Sequence, residues 1–69
     1  YQLYDNLLLS PREKEVLTLL AKGHSSKQIA DILNISTNTV YRHRQNILSA
    51  LQVSNTAAAI QVGFRFNII

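Results

Sequence analysis

Cysteine is absent from this 69-residue chain, as are methionine and tryptophan. Without thiols there is no disulfide framework and no thiolate-ligated metal, and a reducing compartment is the simpler setting. The two histidines, His24 and His43, do not form a His-Glu-x-x-His spacing, so no usual zinc site is at hand. Glycine occurs only twice, at Gly23 and Gly63, and neither belongs to a phosphate-cradling loop. The expectation is no enzyme, no metal and no cofactor. Apolar runs stop at Leu7 to Leu9 and Ala57 to Ile60, far short of the roughly 18 to 20 residues that span a bilayer. A soluble, cytoplasmic domain without membrane contact is expected. The chain opens at Tyr1 with no signal-peptide pattern, which reads as a fragment whose sensor or receiver domain lies upstream.

The most telling absence is of one sign of charge. Asp5, Glu13, Glu15 and Asp31 are the acids of the chain, and up to Asp31 they are balanced by Arg12, Lys14, Lys22 and Lys27. From Ile32 onward only Arg42, Arg44 and Arg65 are charged, so the whole net charge of +3 lies in the second half. A one-sided basic surface attracts polyanions.

What is present is helix punctuation at short intervals. Ser10-Pro11-Arg12-Glu13 has the spacing of an N-cap, a proline at the first helical position and a capping-box glutamate. Val16, Leu17 and Leu20 follow as an apolar stripe, and Gly23 ends the helix near Lys22. Ser25 and Gln28 repeat the capping-box spacing for a second helix, with Ile29, Ile32 and Leu33 inward and Asn34 at its end. Ser36 caps a third helix over about 37–51, leaving only Asn34 to Ser36 as the turn between two helices. Ser54 or Asn55 caps a fourth helix through Ala57 to Val62 towards Gly63 and Phe64. The reading is an all-α four-helix bundle with a central helix-turn-helix, occupying residues 10–69, with residues 1–9 as tail or linker.

Projected at about 100° per residue, Val40, Ile47 and Leu51 of the third helix share one side, flanked by His43 and Ala50. His43 is expected as a half-buried packing residue. The opposite arc gathers Asn38, Tyr41, Arg42, Gln45, Asn46 and Ser49 and holds no acid. A merely solvated face mixes glutamate with lysine, whereas this inventory suits the major groove, where arginine pairs with guanine and glutamine or asparagine with adenine. Tyr41, Arg42 and Gln45 are therefore expected to read bases, and Ser36, Thr37, Asn38, Asn46 and Ser49 to contact the DNA backbone. Arg44 projects about 40° from Val40, at the core edge, and Glu13 falls within the apolar arc of the first helix, so the two are expected to form an ion pair. On the fourth helix, Ala57, Gly63 and Phe64 share the side of Ile60 and are expected to seal the core. Asn55, Ala58 and Val62 form a second, small-residue stripe, expected as the interface of a homodimer, with the isolated domain monomeric or weakly dimeric in solution and dimerising on an inverted-repeat operator.

The stretch LSPREKEVLTLLAKGHSSKQIADILNISTNTVYRHRQNIL, continued by LQVSNTAAAI, resembles the LuxR/GerE type of helix-turn-helix DNA-binding domain of bacterial transcription regulators. The resemblance rests on the cap, Ile29-Ala30, the Ile35-Ser36 turn, and Thr39-Val40 followed by His43. It implies a third helix in the major groove, a bracing second helix and a dimer-forming fourth helix. It also implies a phosphate contact by Lys27, a backbone contact near Thr39, action at the nucleoid, and RNA polymerase as a partner to be considered. The chain departs from the family at Tyr41, where lysine is usual, at Ser49 and Ala50, where basic residues are usual, and at Gln52, where a small residue is usual. The competing readings are region four of a sigma factor, which also binds promoter DNA, and a helical module for acidic protein partners.

Overall fold

The computed structural model describes residues 9–69, and among them there are four helices and no strand. They are α1 (Pro11–Ala21), α2 (Ser26–Leu33), α3 (Thr37–Leu51) and α4 (Thr56–Arg65). Each starts at a polar cap that the sequence announces. Ser10 Oγ accepts from Glu13 N at 3.2 Å while Glu13 Oε1 accepts from Ser10 N at 3.0 Å, and Ser25 and Gln28 exchange the same two bonds at 3.2 and 2.9 Å. Ser36 Oγ accepts from Thr39 N at 3.1 Å, and Asn55 Oδ1 from Ala58 N at 2.8 Å. Each cap satisfies a donor that the helix leaves orphaned.

The helix ends share one device, a residue in the left-handed region. Gly23 has φ +93°, and Asn34, Gln52 and Asn67 have φ 57°, 56° and 60°. The reversed chain then closes on the preceding turn, as in His24 N to Leu19 O at 3.1 Å and Val53 N to Leu48 O at 3.0 Å. The expected turns at Gly23 and Asn34 are present. Gln52 takes the same conformation despite its side chain, so the departure at this position leaves the turn into α4 intact but strained, since left-handed backbone costs a non-glycine residue about 1 to 2 kcal/mol.

The core is formed by Leu9, Val16, Leu17, Ile29, Ala30, Val40, Ile47, Leu51, Ala59 and Ile68. α3 runs through the middle and packs on α1, α2 and α4, while α1 also touches α2 and α4. Val40, Ile47 and Leu51 are the buried face of α3, as the projection requires. Three expectations change. Leu9, assigned to the tail, is 3% exposed and joins the core; residues 1–8 of that tail lie outside the described residues. Ile32 is 52% exposed, because Ser26, Ile29, Ala30 and Leu33 define the inward arc of α2 and Ile32 falls about 110° from its centre. On α4 the core face is Ala59 and Gly63, whereas Ala57 and Phe64 point outward, Phe64 with 63% exposure.

Gly63 has a spatial reason. A Cβ there would stand 3.0 Å from Ile69 Cδ1 and 3.2 Å from Leu17 Cδ2, so its bare backbone lets the C-terminal tail and α1 close over α4. Among the described residues no single helix is long and apolar enough to cross a membrane.

Candidate nucleic-acid interface

The turn Asn34 to Ser36 sets α3 directly after α2, and α3 presents the expected face. Asn38, Tyr41, Arg42, Gln45, Asn46 and Ser49 are all exposed. At about 1.5 Å per residue the 15-residue helix is about 22 Å long, enough to lie along several base pairs of a groove. Arg42 is exposed, and among the described residues no ion pair ties it down.

The helix starts add to this face. Neither α2 nor α3 has an acid in its first turn, so the partial positive charge of each N-terminus, about half a unit, is uncompensated. Lys27, exposed in the first turn of α2, adds a full charge where the dipole disfavours one. A nearby anion would relieve both. At the start of α3, Ser36 Oγ and Thr39 Oγ1 lie 2.8 Å apart and share one hydroxyl proton. Ser36 Oγ also accepts from Thr39 N. The pair therefore keeps one O–H free to donate to a phosphate oxygen. Thr37, beside them, is half-buried.

Arg44 departs from expectation. Its half-buried guanidinium does not meet Glu13: Nη1 donates to Ser26 Oγ at 2.7 Å and Nη2 to Thr56 Oγ1 at 2.8 Å. Glu13 sits at the third position of α1, and its carboxylate turns back to the Ser10 N–H. The capping box thus accounts for its place on the apolar arc, and the expected Glu13–Arg44 pair is not formed. The arginine's acceptors are the first residues of α2 and α4, 18 and 12 positions away in sequence. The signal for them was the cation at a core edge, which demands acceptors without saying which. Ser26 is the buried polar residue of the described core, 7% exposed.

His43 is half-buried as expected, with Nδ1 buried and without a hydrogen-bond partner. His24 is half-buried in the turn between α1 and α2, and among the described residues no group of three His, Cys, Asp or Glu is placed to hold a metal. On α4, Ala58 and Val62 line an open recess of about 590 Å³ with Gln61, Phe64 and Arg65. Asn55 is exposed, but its amide oxygen is committed to the cap.

Comparison with known proteins places this arrangement. Residues 7–62 match the family described as bacterial regulatory proteins, luxR family. The response regulator protein VraR of Staphylococcus aureus is 41% identical over 68 residues, covering 99% of this chain and 32% of that protein. VraR of Staphylococcus epidermidis matches to the same extent. The chain thus spans about a third of the length of the curated relatives it matches. Among solved structures, the transcription factor GerE superposes with a TM-score of 0.85 at 38% identity over 88% of this chain and 91% of that chain. The response regulator ChrA of a heme-sensing two-component system does so with 0.85 at 43% identity, over 88% of this chain and 30% of that one.

Proposed function

The chain belongs to the luxR family of bacterial regulatory proteins and is a helix-turn-helix DNA-binding domain of that family, and on that premise we propose that it reads double-stranded operator DNA as the output module of a transcription regulator. The observation that carries this reading is the outward side of α3, wholly exposed and free of acid, beside two helix N-termini with no first-turn acid. Three of the four acids lie in α1 and α2, and none lies beyond Asp31. A polyanion supplies what this surface lacks.

Within this reading Tyr41, Arg42 and Gln45 enter the major groove and contact base edges, with Arg42 suited to guanine and Gln45 to adenine. Lys27, the Ser36 and Thr39 hydroxyls, Thr37, Asn38, Asn46 and Ser49 meet phosphates and set the register. Two copies associate through α4 around Ala58 and Val62, supported by the recess they line and by the exposed Phe64. Asn55 contributes there by starting the helix. On an inverted repeat the two recognition helices enter successive major grooves, about 34 Å apart. Such a domain works at the nucleoid. The response regulators among its relatives support an upstream receiver as the source of the signal, and RNA polymerase as a downstream partner.

The test is selection of duplexes from a random library by the purified chain. Enrichment of an inverted repeat with half-sites one helical turn apart is expected. Binding without enrichment of any sequence would overturn specific reading, and enrichment of single half-sites alone would overturn the paired arrangement.

A further inference from the structure

Tyr41 stands where the family usually has lysine, and its ring neighbours Arg44. Arg44 Cζ lies 5.9 Å from the centroid of the Tyr41 ring, one helical turn back on α3. The guanidinium is itself fixed, since its two terminal nitrogens donate to Ser26 at the start of α2 and Thr56 at the start of α4. An arginine anchored at both ends of its fork has little rotamer freedom left, and its fixed charge at cation–π distance favours the ring position observed for Tyr41. Tyr41 remains 51% exposed, so about half of its surface is open to a ligand. It offers an apolar ring at the edge of an otherwise polar helix face, on the side next to Arg44.

We propose that Arg44 is a positioning residue: anchored on Ser26 and Thr56, it holds the Tyr41 ring so that the ring reads an apolar base edge, the 5-methyl group of thymine. Thymine is the base that offers a methyl group in the major groove, and apolar side chains recognise it there. The ring faces only one base step, so it distinguishes one position in each half-site. Arg44 touches no DNA in this arrangement. Its hydrogen bond to Thr56 also links the recognition helix to the first turn of α4, so the geometry of Tyr41 depends on the position of α4. The inference rests on the DNA-binding reading and adds a residue role and a base to it.

Uracil differs from thymine by that methyl group alone, so the test is a scan of a duplex selected by this chain, replacing each thymine in turn by uracil and measuring affinity by fluorescence anisotropy. For the wild type, one position in each half-site should lose affinity about fourfold, the worth of one buried methyl. Tyr41→Phe should keep the loss, because the ring is unchanged, and Tyr41→Ala should abolish it. Arg44→Met should abolish it as well, while the salt dependence of binding stays that of the wild type. Thr56→Val, which preserves shape and removes one anchor, should weaken it and serves where Arg44→Met does not fold. Uracil sensitivity retained in folded Arg44→Met and in Thr56→Val would reduce Arg44 to a structural role and overturn the proposal. A salt slope that falls by about 0.9 in Arg44→Met would make Arg44 a phosphate ligand and overturn it too. A wild type insensitive to uracil at every position but still bound to its selected duplex defeats this inference alone. A wild type with no affinity for duplex DNA defeats the DNA-binding reading with it.

Discussion

Salt dependence tests the interface most directly, because its magnitude follows from which cations the structure leaves exposed. On the recognition side these are Lys27 and Arg42, since Arg44 is held by Ser26 and Thr56. Each cation that displaces counterions from the duplex, whether it meets a phosphate as Lys27 does or enters the groove between phosphates as Arg42 does, contributes about −0.9 to the slope of log affinity against log salt, so one domain should give a slope of about −1.8 and a pair on an inverted repeat about −3.6. Raising salt from about 50 to about 200 mM should then weaken a half-site about 12-fold and a full operator about 150-fold. The assay is fluorescence anisotropy with a labelled duplex at four or five salt concentrations, on a full site and on a half-site. Lys27→Ala should remove about 0.9 of slope per domain and weaken selected and random duplexes alike. Arg42→Ala should do more on the selected site, costing about 1 to 3 kcal/mol there and relaxing preference at one base pair. A flat slope would refute the polyanion argument. Identical slopes for Lys27→Ala and wild type would show that Lys27 meets no phosphate.

Gln52→Gly should stabilise the domain by about 0.5 to 1 kcal/mol, because relief of the left-handed backbone exceeds glycine's extra entropy in the unfolded chain; thermal melting should rise by several degrees, and an unchanged or lower midpoint would contradict the strain assigned there. Glu13→Gln keeps the acceptor of the capping box and should cost no more than about 0.5 kcal/mol, whereas Glu13→Ala should cost about 0.5 to 1 kcal/mol in denaturant unfolding. Equal and large losses for both would restore an ionic partner for Glu13. Ala58→Glu places a carboxylate at the third position of α4, where it complements the Asn55 cap and the dipole. It should leave melting unchanged or slightly raised while abolishing cooperative filling of two half-sites in a gel-shift titration; cooperative filling by this variant would remove α4 from the interface.

Local chemistry carries far in this chain. The caps Ser10, Ser25, Ser36 and Asn55 and the turns at Gly23 and Asn34 are decided within four or five residues, because a side-chain oxygen either reaches the next turn's N–H or does not. The buried side of α3 and its six exposed polar residues follow from helical period alone, as a 15-residue amphipathic helix leaves little choice of face. The acid-free second half is composition, readable without any fold. What depended on tertiary structure was whatever needed a partner from elsewhere in the chain. Period could place Arg44 at a core edge but could not choose between Glu13 and the hydroxyls of Ser26 and Thr56. That choice depends on how the starts of α2 and α4 converge on α3. In the short helices α2 and α4 the apolar arc is wide enough to fit more than one phase, and packing against α1 and α3 turned Ile32 and Phe64 outward and brought Ala30 and Ala59 in. Side-chain period is a property of one helix, whereas the rotation of a short helix about its axis is set by the volume its neighbours leave, and that volume exists only once the chain has folded.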